Sequence, residues 1–91
     1  MPAPRPRFTY RLAFRPVDEQ MSSAELASTV MRVLLSLGTA EQGVSIVSVE
    51  RPPKQDGNGL YLVATASGPE HWYLDQDDYL LSEGLRGELE L

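Results

Sequence analysis

From Arg7 to Arg15 the chain alternates two kinds of side chain. Phe8, Tyr10, Leu12 and Phe14 fall on even positions, Arg7, Arg11 and Arg15 on odd ones. Side chains on a strand point to opposite faces in turn, so this stretch predicts a β-strand with one apolar and one cationic face. The last residues, Glu88-Leu89-Glu90-Leu91, repeat the alternation with the opposite charge. If the two strands lie side by side, Arg7, Arg11 and Arg15 share an outer face with Arg86, Glu88 and Glu90. Each opposite-charge pair across such strands contributes roughly 0.2–1 kcal/mol. The two ends of the chain are expected to meet in one sheet.

Pro16 ends the first strand. Ser22-Ser23-Ala24-Glu25 then fits a capping box, with Ser22 accepting from the backbone and Glu25 reaching back. Leu26, Val30, Val33, Leu34 and Leu37 trace one helical face that Met31 and Leu35 widen, and Gly38 is the expected cap. The pattern predicts a helix over 23–37. Val44–Arg51, rich in β-branched residues, predicts a strand stopped by Pro52-Pro53. Lys54 to Gly59 holds Asp-Gly and Asn-Gly dipeptides and predicts a hairpin loop, with Leu60–Ala66 as the return strand. Gly68-Pro69-Glu70 can open an irregular helix through Trp72, Tyr73, Tyr79 and Leu80. Two short strands, His71–Leu74 and Tyr79–Ser82, are the competing reading. Gly84 ends that segment, and Leu85–Leu91 is the last strand. The order β-α-β-β-α-β is the split βαβ pattern of a ferredoxin-like α+β fold, an antiparallel sheet with helices on one face. Residues 1–6, with three prolines, predict an extended lead-in, and 7–91 one domain.

The absence of cysteine excludes disulfides and thiolate metal sites, and favours a cytoplasmic location over a secreted one. No apolar run approaches the ~20 residues of a membrane span, and the first residues lack the apolar core of a secretory signal. Charge is unevenly spread within a net −5. Residues 1–16 carry four arginines and no acid, whereas residues 69–91 carry seven acids against Arg86 alone. The acidic total argues against non-specific nucleic-acid binding, which depends on neutralising phosphates.

No motif points to a reaction. His71, the sole histidine, stands beside Trp72 and Tyr73 and near Asp75, Asp77 and Asp78. A general base needs a carboxylate or hydroxyl within hydrogen-bond reach, and a surface histidine beside aromatics that close the core is the simpler reading. Counted from Asp75, an EF-hand would need glycine sixth and glutamate twelfth, where Leu80 and Arg86 stand. Asp56-Gly57-Asn58-Gly59 leads into a strand rather than a helix, so it is a turn and not a phosphate loop. Acylphosphatase-type enzymes share the size and element order, but carry a glycine-rich phosphate loop and an arginine after the first strand. Phe14-Arg15-Pro16-Val17-Asp18-Glu19-Gln20 has no glycine. No cofactor, metal or catalytic residue is expected.

The leading expectation is a small acidic, non-enzymatic protein–protein interaction or regulatory module, of which an inhibitor-type protein is one form. Acids and aromatics in one short segment suit an interface with a basic partner protein. Its candidate residues are Glu70, His71, Trp72, Tyr73, Asp75, Asp77, Asp78 and Glu83. One alternative is a dimeric α+β-barrel that binds or converts a small molecule. Another is nucleic-acid binding through Arg7, Arg11 and Arg15, for which the lone Tyr61 supplies too little stacking surface. A homodimer through the edge of the second strand is a further option.

Overall fold

A computed structural model describes residues 7–38 and 43–90. The expected lead-in 1–6, most of the loop after the first helix, and Leu91 lie outside the described residues. The chain runs β1 (Phe8–Pro16), α1 (Ser23–Leu37), β2 (Ser45–Val49), β3 (Lys54–Asp56), β4 (Gly59–Gly68), a 3-10 helix (Trp72–Gln76), α2 (Asp77–Ser82) and β5 (Leu85–Leu89). It is an α+β fold with a five-stranded antiparallel sheet in the order β2-β4-β1-β5, β3 also pairing with β4.

The first strand and the last do meet. In β1 and β5, Leu12 faces Leu89, Phe14 faces Gly87 and Pro16 faces Leu85. On the other side of β1, Leu12 faces Ala64 and Phe14 faces Leu62. These even positions of β1 and β4 join Leu85 and the α1 stripe Leu26, Val30, Val33, Leu34 and Leu37 in one buried cluster. The predicted helical face is thus the buried face, and Leu35 falls outside it, exposed. At the start of α1, the Ser22 hydroxyl accepts from the Glu25 N–H at 3.2 Å, as an N-cap should. Gly38 does cap the other end, donating to Leu34 at 2.8 Å, but with φ −76° rather than the left-handed turn expected of a C-terminal glycine.

Three expectations change. The predicted loop is shorter, because Lys54–Asp56 forms β3 against Tyr61, Leu60 and Gly59, and only Gly57-Asn58 turn. The predicted strand Val44–Arg51 keeps regular pairing only over Ser45–Val49, and its register shifts between Ile46 and Ser48. Val47 is the extra residue, bulged outward at this edge. Phe8, on the apolar register of β1, is partly exposed. It lies opposite Gly68, and the Trp72 ring already fills the space above that glycine: a Cβ there would stand 2.9 Å from Trp72 Cδ1.

Between β4 and β5 the irregular-helix reading holds over the two-strand one. Trp72 and Leu80 are buried beneath it and hold the segment to the core. Among the described residues, no helix is long and apolar enough to cross a membrane.

Candidate functional site

The open face of the sheet carries the odd register of β1. Arg11 sits between two acids, 3.1 Å from Glu90 and 3.2 Å from Glu50, and Glu50 also meets Lys54 at 3.4 Å. Arg15 grips Asp56 with two parallel bonds, Nη1–Oδ1 at 3.1 Å and Nη2–Oδ2 at 2.8 Å. Its Nε lies 3.6 Å from Glu88, and its guanidinium covers the Tyr61 ring at 4.9 Å. Arg7 donates to the Ser67 carbonyl and the Ser45 hydroxyl. The expected match with Glu88 and Glu90 is present. Glu50 and Asp56 went unforeseen as partners because both were assigned to the end of a strand and a loop, where no facing register exists.

Beneath these charges Ala13 and Val63 pair across β1 and β4, and Val63 is only 2% exposed although no helix among the described residues covers this face. Arg11 and Arg15 flank Ala13 on the same face, so their methylene stems roof the pair while the heads stay among acids. The arginines seal this side of the sheet.

The network shifts its members' proton affinities. The hydrogen bond from Arg11, then that from Lys54, holds the Glu50 carboxyl below its ordinary 4.5. The Arg15 hydrogen bond, then the Asn58 N–H, holds Asp56 below its ordinary 3.8. Arg11 and Arg15 are pushed upward, chiefly by hydrogen bonds to Glu90 and Asp56. A lowered carboxyl pKa contributes stability that is complete above the ordinary value and is lost as pH falls through the lowered one. Urea midpoints are therefore expected to hold at neutral pH and fall below about pH 4. Asp56→Asn should flatten that acid limb; an unchanged slope would show that the pair contributes nothing.

The acidic segment occupies the other end of the fold. Its entry is set by His71, whose backbone is left-handed at φ 54° and ψ 30°, and whose N–H donates to the Tyr10 hydroxyl at 3.2 Å. The His71 and Tyr10 rings stack at 6.2 Å between centroids, and Tyr73 meets Tyr10 edge-on at 4.9 Å. Glu70 lies 3.7 Å from His71 Nε2. Among the described residues no carboxylate or hydroxyl is hydrogen-bonded to the imidazole. Of the expected interface residues, Trp72 lies in the core, 3% exposed, so its ring packs the fold instead of standing on the surface. Tyr73 is half-buried, and Glu83, expected at the interface, pairs instead with Arg32 of α1. Glu70, His71, Asp75, Asp77 and Asp78 remain exposed. Among the described residues none of the three aspartates makes an ion pair, and Leu74 stands 54% exposed beside them.

Two grooves lie on the surface of the described residues. A polar one of about 1050 Å³ at the end of β1 includes Arg15, Glu19, Gln55, Arg86 and Glu88, and the Arg15 head within it is already held by Asp56. An apolar one of about 420 Å³ runs between α2 and β5, lined by Leu80, Leu81, Leu85 and Gly87 with Asp77 and Arg86 at its rim. Among the described residues no group of three or more acidic or histidine side chains converges to hold a metal ion. No protein-family model, curated protein or solved structure matches the chain.

Proposed function

We propose that the protein is a non-enzymatic interaction module that binds a basic protein surface through residues 70–78. The observation that carries this reading is the contrast between the molecule's two charged regions. On the open sheet face the acids are spent on Arg11, Arg15 and Lys54. On the 3-10 helix and the start of α2, Asp75, Asp77 and Asp78 project without cationic partners around an exposed Leu74. Trp72 below and the Tyr10–His71–Tyr73 cluster beside them fix the backbone, so little freedom is lost when a partner docks. Carboxylates around an apolar side chain suit a partner that presents lysines or arginines around an apolar recess.

The same contrast weighs against the other two readings. Arg11 and Arg15, already paired with acids, offer little to phosphates. A face of charged side chains is also a poor surface for the sheet-to-sheet packing of an α+β-barrel dimer.

The ferredoxin-like class is part of this proposal. Both β2 and β3 pair with β4. Counted as one strand interrupted between Glu50 and Pro53, they leave the order second, third, first, fourth, which is that of the split βαβ fold. A cytoplasmic location fits the cysteine-free composition.

Affinity capture from native lysate, with wild type beside a Leu74→Ser, Asp75→Lys, Asp78→Lys variant, tests the reading. A partner retained by wild type and lost by the variant, with retention falling as salt is raised, is the expected result. A variant that keeps the native circular dichroism spectrum and every wild-type partner would sink the assignment.

A further inference from the structure

We propose that β5 pairs antiparallel with β5 of a second copy of this chain, around a two-fold axis through Gly87. The inference is independent of the acidic segment and concerns the opposite device, an unpaired sheet edge.

The sheet has two edges, and they are built differently. On the β2 side a bulge at Val47 disrupts the ladder, and Pro52-Pro53 remove two donors before β3 begins. The β5 edge is five residues, paired on one side only, with no bulge, proline or lysine. Of the usual edge protections β5 carries only charged side chains, so this edge, rather than that of the second strand, is competent to pair.

Hydrogen-bond phase fixes which residues look outward. The Glu90 N–H donates to the Arg11 carbonyl at 2.9 Å, so in alternation Glu88 and Arg86 also turn their backbone groups toward β1. Leu85, Gly87 and Leu89 therefore turn theirs toward the edge, where Gly87 and Leu89 are accessible and Leu85 is covered. A second β5 centred on Gly87 brings Leu85 opposite Leu89, Gly87 opposite Gly87 and Leu89 opposite Leu85. The Gly87 pair exchanges about two bonds, and the two Leu85–Leu89 pairs add about four more once the cover over Leu85 opens.

In that register Arg86 of each copy faces Glu88 of the other, at the non-hydrogen-bonded positions where side chains approach most closely. Leu-Arg-Gly-Glu-Leu is its own charge complement when reversed. Shifting the pairing by two residues in one direction sets Arg86 against Arg86; the other direction sets Glu88 against Glu88. Both are repulsive, so charge selects a single register.

The free chain leaves Arg86 in want of this partner. Its neighbour across β1 and β5 is Arg15, a like charge, and among the described residues Arg86 makes no ion pair. The apolar groove along the same edge, with Leu81 53% and Leu89 38% exposed, gives the second copy a surface to cover on the helical side. The product is a continuous sheet of twice five strands.

Sedimentation equilibrium of wild type, Arg86→Glu and Glu88→Arg, alone and mixed, tests the pairing. Wild type is expected to dimerise reversibly. Each single reversal puts like charges at both pairs and should weaken self-association at least about tenfold. Mixed in equal amounts, the two variants regain opposite charges at both pairs and should form a heterodimer. As a measurement on the unaltered chain, amide exchange at Gly87 and Leu89 should slow as wild-type concentration rises. Three outcomes overturn the proposal: wild type monomeric up to about 1 mM, reversals that leave dimerisation unchanged, or folded variants that fail to associate on mixing. Exchange at Gly87 and Leu89 that ignores concentration overturns it as well, even where a variant fails to fold.

Discussion

Truncation of Trp72 to alanine is expected to cost about 3–5 kcal/mol, the range for removing a large buried aromatic. Its ring is 3% exposed and lies on Gly68, close to Val44. Domains are typically stable by only about 5–15 kcal/mol, so the loss takes roughly a fifth or more of the whole. For a chain of this length it corresponds to a melting temperature lower by more than about 12 °C. Circular dichroism melts measure it directly. Trp72→Phe separates packing from polarity: the indole Nε1 is buried without a hydrogen-bond partner, and phenylalanine removes that donor while keeping most of the volume. An unsatisfied buried donor costs roughly 1–3 kcal/mol, which offsets the smaller ring, so the phenylalanine variant is expected within about 1.5 kcal/mol of wild type. Alanine and phenylalanine variants of equal stability would show that the ring does not hold the segment down.

The two faces of Trp72 show how far the sequence could be read. Its placement in an irregular helix follows from Gly68-Pro69-Glu70 and the spacing of Trp72, Tyr73, Tyr79 and Leu80. Its depth does not, because that depends on Gly68 of β4 leaving room for the ring, a contact between residues on different elements. Phe8 fails for the same reason: periodicity assigns it a face, and competition with Trp72 for one glycine decides its burial. By contrast, α1 was legible to the residue, since a capping serine and a 3.6-residue stripe are local signals. β3 was hidden by its polar composition, Lys-Gln-Asp, which reads as loop until β4 supplies the partner. The acidic segment was legible as composition. Its division into a buried Trp72, a paired Glu83 and free aspartates required the fold.

Arg15→Ala is expected to cost about 2 kcal/mol, more than an exposed ion pair contributes, because two losses coincide. The side chain is only 15% exposed, and its register two residues from Ala13 sets its stem on the face of the Ala13–Val63 pair. Its head holds Asp56 by two bonds and lies on Tyr61, so truncation also leaves the carboxylate without its cation and the ring without its cover. The two contributions separate by substitution. Arg15→Met keeps a stem of similar length and discards the charge, so it should cost roughly half as much as alanine if the roof over Val63 matters. Arg15→Lys keeps stem and charge but not the paired geometry, and is expected between methionine and wild type. Urea denaturation of the series, repeated in an Asp56→Ala background, decides the matter. There the penalty of Arg15→Ala should shrink toward that of lost packing alone, since no carboxylate remains to be orphaned. Should methionine match wild type in both backgrounds, the arginines of β1 act as apolar cover whose charges serve solubility and register. Should it match alanine, the open face is held by its ion network, and acid would loosen this face before it reached the core.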